Sequence, residues 1–350
     1  MRTTRAPAPH LMRWSAGALL WVGAAWLIYL AAVHTASGQL LDTMMRGTAH
    51  GTSHPLPELD PDNRWIPLWI LAPPGAVLLG LLASRPRRLR RAAATSAAIV
   101  LAGANLTTQI FKTLWNERPA LVVDLAPAWS ANSLPSGHTT MAASAAAAVF
   151  LAAMPRGRPF WAMLGALWAG GWGGYIFVEG WHRPSDMIAA YLVVAAWTAL
   201  AGCLLLQAER RARVSAAMEI ASYPDAGRHG PEFDEPDGDA ARQPTPAERL
   251  NAALSPPLRD GRRRGGRSAG LCLTLGLAGC VLAAVFLLGP IVEAEGSFAE
   301  RLAQSASGPT PWLFLAGAAL SSAPALFPAA AGILSFSSAS AGKHPYDAGR

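Results

Sequence analysis

The stretch Gly180-Trp181-His182-Arg183-Pro184-Ser185-Asp186 leads directly into the apolar segment Met187–Leu206, and it decides the fold. Earlier in the chain, Pro135-Ser136-Gly137-His138 leads into another apolar segment in the same way. The separation of the two stretches fits one membrane-crossing helix, a short basic turn and a second helix that crosses back. The two histidines are therefore expected on the same face of a bilayer, each at the start of a helix.

The composition is that of a membrane protein. Of the 350 residues, 52% are hydrophobic and only 15% are charged, and the apolar residues come in long blocks. The net charge of +7 comes from short basic runs between these blocks, without the aromatic interleaving typical of nucleic-acid binding, so we expect no nucleic-acid partner. The three cysteines all lie in apolar segments and have neither disulfide nor metal-ligand spacing.

These blocks predict an all-α fold, a polytopic bundle with six spans in residues 1–213 and two more in residues 269–350. Residues 214–268, rich in Pro, Gly and charge, are predicted to be a disordered cytoplasmic linker. A kink is expected in the last span at Pro324 and Pro328. The first block is favoured as an uncleaved span over a signal peptide cut near Ala36-Ser37. The predicted spans are Trp14–Val33, Trp65–Ala83, Ala92–Phe111, Thr139–Met154, Phe160–Val178, Met187–Leu206, Ala269–Ile291 and Pro311–Leu334.

Basic residues predict the orientation of the bundle. If the eight spans alternate, the runs at Arg85–Arg91, Arg156–Arg158 and Arg210–Arg213 all fall on one side, which should be the cytoplasm. His138 and His182 then lie outside. The sequence therefore predicts a multi-pass protein of the cell membrane with an extracytoplasmic site.

His182 and Asp186 are four residues apart at the start of a predicted helix. This spacing lets the carboxylate accept a hydrogen bond from one ring nitrogen, so that the other nitrogen is held unprotonated as a nucleophile. Pro184 suits the first helical position. The alternative is an interfacial anchor formed by Trp181 and its neighbours, with Asp186 as a helix-start carboxylate.

The stretch from Pro135 to His138 predicts a second helix start with anion-binding character. Ser136 can cap the helix, Gly137 allows close backbone approach, and the first N–H groups of a helix form an anion site. His138 beside them could protonate a leaving oxygen. An ordinary helix start with an incidental histidine is the alternative, but two such motifs on one membrane face favour a catalytic site.

Two cations belong to the same predicted face. Lys112 ends the third span and Arg118 follows it in the loop. Snorkelling to the interface would explain an isolated lysine. Both cations, however, lie on the face that has the fewest basic residues, which indicates an anionic ligand.

These three pieces resemble the type 2 phosphatidic acid phosphatase superfamily, which also includes the vanadium haloperoxidases. The first family motif, a Lys followed by Arg-Pro, is matched by Lys112 and Arg118-Pro119. The second, Pro-Ser-Gly-His, is matched by Pro135–His138, and the third is matched at His182 and Asp186. The resemblance covers roughly residues 65–206.

The resemblance implies a role for each residue and a reaction that needs no metal or other cofactor. His182 would be the nucleophile, Asp186 would orient it, and His138 would be the general acid. The phosphate would be held by Lys112, Arg118, Ser136 and Gly137. The substrate would be a lipid phosphate or diphosphate in the bilayer.

The sequence departs from the family pattern at two places. Lys112 and Arg118 are separated by five residues, where the family pattern has six. At the position where the third motif has an arginine, this sequence has Ile176. Arg183, next to the nucleophile, is a candidate to replace that arginine as a phosphate ligand.

The leading hypothesis is an integral-membrane hydrolase that acts on a lipid phosphate at the outer leaflet through a phosphohistidine. Polyprenyl diphosphates, phosphatidic acid and phosphatidylglycerol phosphate are the candidate substrates. A vanadate-dependent haloperoxidase is disfavoured because those proteins are soluble. The alternative motivated by Ile176 is a catalytically weak or inactive phosphatase-like protein that binds lipid. A transporter is a weaker interpretation, because no intramembrane charge pairs mark a transport path.

Overall fold

The computed structural model describes residues 9–51, 64–121, 132–222, 258–293 and 311–339. Within these ranges every regular element is a helix, so the predicted all-α fold is confirmed. The helices are α1 (Pro9–Val33), α2 (Ala36–Gly51), α3 (Ile66–Ser84), α4 (Arg87–Leu114), α5 (Gly137–Ala152), α6 (Arg158–Val178), α7 (Pro184–Ser222), α8 (Leu258–Glu293), α9 (Pro311–Ser322) and α10 (Leu326–Ala339).

The predicted spans coincide with helices. Among the described residues, six helical stretches are long and apolar enough to cross a membrane by length and composition: Trp14–Val33, Ile66–Ser84, Leu89–Leu114, Pro184–Ala216, Gly266–Leu287 and Pro311–Phe336. The fourth predicted span corresponds to α5, an apolar helix of only 16 residues, and the fifth to α6, which packs against it. The chain is therefore a multi-pass helical membrane protein.

The structure differs from the sequence-based expectation in the segment between the first two spans. The predicted spans leave residues 34–64 as a connection between the first two, but Ala36–Gly51 forms α2. Its apolar residues Leu40, Leu41, Met44 and Met45 are members of the hydrophobic core or pack against it. Its polar residues Gln39, Asp42 and Thr43 are also buried, so tertiary contacts stabilise both sides of this short helix.

Helices extend into both ends of the predicted linker, residues 214–268. The chain remains helical to Ser222, and α8 begins at Leu258, so both ends of the predicted linker are helical instead of disordered. Residues 223–257 lie outside the described residues. The expected interruption of the last span is present: a short 3₁₀ turn at Ala323–Ala325, containing Pro324, separates α9 from α10.

The C-terminal helices are part of the same hydrophobic core as the earlier ones. The Tyr191 hydroxyl on α7 donates hydrogen bonds to the carbonyls of Ala169 on α6, at 3.1 Å, and Ser321 on α9, at 2.7 Å. Gly173 on α6 lies so close to the Ser321 carbonyl that a Cβ atom there would overlap it. Residues 311–339 therefore stabilise the bundle directly.

A buried ion cluster lies at one end of the bundle. The Glu209 carboxylate pairs with Arg158 at 2.5 Å and with Arg85 at 3.2 Å, and all three residues are at most 4% exposed. Arg85 also donates to the carbonyls of Ala152 and Ala153 at the end of α5. This cluster joins the connections before α4 and α6 to α7, so the basic connections Arg85–Arg91, Arg156–Arg158 and Arg210–Arg213 lie at one end.

We expect Glu209→Ala to lower the free energy of unfolding by about 3–5 kcal/mol, because it leaves two buried guanidinium groups without a counter-charge. The measurement is thermal unfolding of the detergent-solubilised protein. Arg213→Ala is the matched control, since this side chain is 53% exposed and lies 4.0 Å from the same carboxylate, and it should change the stability by less than about 1 kcal/mol. Equal destabilisation by the two variants would contradict the assignment.

Candidate active site

The start of α7 holds the predicted nucleophile and its carboxylate partner. The helix begins at Pro184, and the Nδ1 atom of His182 lies 3.0 Å from Oδ2 of Asp186. Asp186 is fully buried, whereas the His182 side chain keeps 12% of its surface exposed. Because Nδ1 faces the carboxylate, Nε2 is the ring nitrogen that remains for a ligand.

Asp186 Oδ2 also accepts two further hydrogen bonds. The Ser133 hydroxyl donates at 2.5 Å, and the backbone N–H of Arg183 donates at 3.1 Å. Charge-assisted bonds of this kind stabilise the ionised carboxylate and fix its direction. The orientation of His182 is therefore set by a carboxylate that is itself held from two sides.

A glycine with a positive φ turns the chain from α6 into this site. Gly180 has φ of 69°, its N–H donates to Phe177 O at 2.8 Å, and the N–H of Trp181 donates to Ile176 O at 3.2 Å. This is the Schellman pattern, and it requires a left-handed residue that glycine adopts without strain. His182 follows two residues after Gly180, so this turn sets where the histidine leaves the end of α6.

The second helix start meets the first one directly. Ser136 caps α5, with its Oγ accepting from the Thr139 N–H at 3.3 Å, as predicted from the sequence. The backbone N–H of Ser136 in turn donates to the Asp186 carbonyl at 3.0 Å. His138, in the first turn of α5, has its ring 5.7 Å from that of Trp181 and interacts electrostatically with His182. The two predicted histidines therefore share one site.

Both cations of the first motif lie beside these helix starts. Lys112 Nζ is 3.8 Å from the point where a Cβ atom on Gly137 would lie, and Lys112 interacts electrostatically with Asp186. Arg118 is buried, and its Nη2 pairs with Oδ2 of Asp42 at 3.2 Å.

Asp42 is a site residue that the sequence analysis missed. Besides pairing with Arg118, its carboxylate accepts hydrogen bonds from the Ser185 hydroxyl at 2.6 Å and the Ser185 N–H at 3.2 Å. It thereby connects the first motif to the third. Burial raises the pKa of Asp42, Asp186 raises it further, and Arg118 opposes both effects.

Two more polar residues on the same face of α2 fix the position of this helix through backbone carbonyls. Gln39 donates from Nε2 to the carbonyls of Val33 and Pro119, both at 2.7 Å, and Arg46 donates from Nε to Gly180 O at 2.8 Å. The only sequence signal is the recurrence of polar residues at positions 39, 42, 43 and 46, the spacing of one helix face. A polar face normally indicates solvent exposure, so this pattern did not point to the site.

The structure brings all eight predicted site residues together at one end of the bundle, and it separates Ile176 from them. Arg183 is 1% exposed, with Nη1 donating to Ser133 Oγ at 3.1 Å. Ile176 is fully buried in the hydrophobic core. Across the described ranges, no group of three or more His, Cys, Asp or Glu side chains has the arrangement of a metal site.

Comparison with protein families agrees with this geometry. Residues 93–211, about a third of the chain, match the model of the PAP2 superfamily. This match confirms the resemblance to the type 2 phosphatidic acid phosphatases, and it covers every site residue predicted from the sequence. Searches of curated proteins and of solved structures found no match. The match and the helical fold support a membrane phosphatase in general, while α2 lies outside the matched residues.

We expect Asp42→Asn to reduce kcat/KM about 10- to 100-fold. The amide keeps the size of the side chain but removes the charge that pairs with Arg118, and hydrogen bonds to charged groups contribute about 1.5–3 kcal/mol. The measurement is phosphate release by the purified protein. Ser37→Ala, at an exposed position of the same helix, is the control and should retain full activity. Unchanged kcat/KM in the Asp42 variant would show that the pairing with Arg118 has no part in turnover.

Proposed function

We propose that this protein hydrolyses a lipid phosphate or diphosphate at the outer leaflet of the cell membrane through a phosphohistidine intermediate. The observation that carries the proposal is the His182–Asp186 pair, 3.0 Å apart, at a helix start that adjoins the helix start bearing His138. Together they provide a nucleophile, an orienting carboxylate and an acid within one site.

In the first half-reaction, the Nε2 lone pair of His182 attacks phosphorus while the bond from phosphorus to the leaving oxygen breaks. His138 donates its proton to that oxygen, so that the oxygen of the departing lipid alcohol or lipid phosphate carries no charge. Asp186 accepts the Nδ1–H bond throughout and stabilises the positive charge that develops on the ring.

In the second half-reaction, a water molecule attacks the phosphorus of the phosphohistidine. His138, now neutral, removes a proton from this water, and the electron pair of the phosphorus–nitrogen bond returns to Nε2. Inorganic phosphate leaves and the starting protonation states are restored.

Positive charge near the phosphoryl oxygens should lower the barrier to both steps. Lys112 and Arg118 are proposed to bind these oxygens, with Ser136 and Gly137 forming the turn whose first helical N–H groups face the anion. Arg183, the sequence-based candidate for a further phosphate ligand, is buried and donates to Ser133, so it is proposed to act on the phosphoryl group through its charge alone.

The location of the site supports a lipid substrate. The site lies at the ends of apolar helices, where a headgroup can reach it while its chains remain in the bilayer. Polyprenyl diphosphates, phosphatidic acid and phosphatidylglycerol phosphate are all compatible with this position. The alternative, a weak or inactive lipid-binding relative, is motivated by Ile176, and the intact hydrogen bonding around His182 favours the enzyme.

We expect His182→Ala to abolish phosphate release, because the attacking nitrogen is lost and its contribution of several kcal/mol to the transition state is lost with it. The assay uses a panel of the three lipid phosphates with detergent-solubilised protein. His34→Ala, which removes an exposed histidine at the end of α1, serves as the control and should keep wild-type turnover. Near-normal release by the His182 variant would eliminate the phosphohistidine mechanism.

We also expect the site to face away from the cytoplasm. The basic connections at Arg85–Arg91, Arg156–Arg158 and Arg210–Arg213 are proposed to be cytoplasmic, since inverting the protein would require all three to be translocated. Single cysteines are placed at Ala120, beside the site, and at Arg87, in a background without the three native cysteines; both positions are exposed. On intact cells an impermeant thiol reagent should label only position 120. Labelling of position 87 alone would place the site in the cytoplasm.

A further inference from the structure

Arg46 lies at the candidate active site although it comes from outside the family-matched residues. It belongs to α2, and its Nε donates to the carbonyl of Gly180, two residues before His182, at 2.8 Å. The bond holds the guanidinium group at the turn that carries the nucleophile. A planar guanidinium fixed in this way matches the geometry of phosphate oxygens.

The electrostatic surroundings of Arg46 are those of the site. Burial lowers the pKa of its guanidinium group, while the carboxylates of Asp186 and Asp42 act in the opposite direction and Arg118 acts with burial. An arginine remains protonated under such shifts. Arg46 is therefore a cation within electrostatic range of the carboxylate that orients His182.

The cations of the site differ in how readily a ligand could reach them. Arg118 and Arg183 are nearly inaccessible and are engaged with Asp42 and Ser133, respectively. Lys112 and Arg46 are partly exposed, and both interact with Asp186, one from α4 and the other from α2. An anion that arrives from the aqueous side meets these two side chains first.

Position 176 cannot supply a comparable charge. The family pattern has an arginine there, but Ile176 is fully buried within the hydrophobic core at the end of α6. The carbonyl of the same residue closes the Schellman turn with Trp181. The turn at Gly180, which follows Ile176, is the point at which Arg46 binds.

We propose that Arg46 binds the phosphoryl group of the substrate and provides, from α2, the positive charge that Ile176 does not. This role rests on the proposed phosphatase function. It makes α2 part of the substrate site as well as a support for it: Asp42 positions Arg118, and Arg46, one helical turn further along, contacts the phosphoryl oxygens. The side chain adds a planar pair of donors to the point charge of Lys112.

The test separates anion binding from the anchoring of α2. The probe is orthovanadate, which takes the trigonal-bipyramidal shape of a phosphoryl group in transfer, titrated by calorimetry into full-length protein in detergent. The variants are Arg46→Gln, Arg46→Lys and Gln39→Leu. Gln39 is the matched control because it also anchors α2, through Val33 and Pro119, but it carries no charge.

Arg46→Gln should weaken vanadate binding about tenfold or more and raise KM for the lipid phosphate, as expected for a lost charge-assisted hydrogen bond. Arg46→Lys should recover part of both losses. Gln39→Leu should lower the melting temperature at least as much as Arg46→Gln, yet change vanadate affinity less than about threefold.

Three results would overturn the inference. Vanadate affinity of Arg46→Gln equal to that of the wild type would show that Arg46 is no ligand. Equal weakening by Gln39→Leu would show that Arg46 acts only by holding α2. If the wild type neither binds vanadate nor releases phosphate from any lipid, both the inference and the proposed function fail. A wild type that does both, with an unaffected Arg46→Gln variant, removes the inference alone.

Discussion

The carboxylate of Asp186 is the group on which the geometry of the site depends. One oxygen accepts hydrogen bonds from the His182 ring, the Ser133 hydroxyl and the Arg183 backbone, and the carbonyl of the same residue accepts from the Ser136 N–H. The start of α7 is thereby joined to the turn that begins α5. A buried carboxylate is unfavourable unless it is paired and hydrogen-bonded, so these donors stabilise the charge and determine the position of His182 together.

A second carboxylate, Asp42, extends this arrangement to the first motif. It holds Arg118 on one side and Ser185 on the other, and it approaches from a helix that precedes all three motifs in the chain. The two buried carboxylates, Asp42 and Asp186, thus hold together three loops that are far apart in the sequence. Because each acid has positive and hydrogen-bonding partners, the site can retain its shape before any ligand is bound.

Among the described residues, the buried charged side chains lie at the two ends of the bundle. The cluster around Glu209 lies about 35 Å from Asp186 along α7, at a rise of about 1.5 Å per residue, and the described helices between them pack through small and apolar side chains. Ionised groups are costly within a bilayer, which explains why both clusters lie at helix ends and are internally paired. The cluster around Glu209 connects helices. At the end that contains Asp186, the side chains of Lys112 and His182 remain partly exposed to a substrate.

The sequence by itself determined the helical spans and the starts of α5 and α7, because apolar length, helix caps and a four-residue spacing are local properties. The full set of eight site residues also needed the motifs of the family that the sequence resembles. Even the turn at Gly180 follows from the intrinsic freedom of glycine. Only the tertiary structure decided that α2 joins the site through Asp42 and Arg46, and that Arg183 and Ile176 are buried. Those outcomes depend on contacts between segments far apart in the chain, and a polar side chain carries no local signal of whether it will meet water or a buried partner.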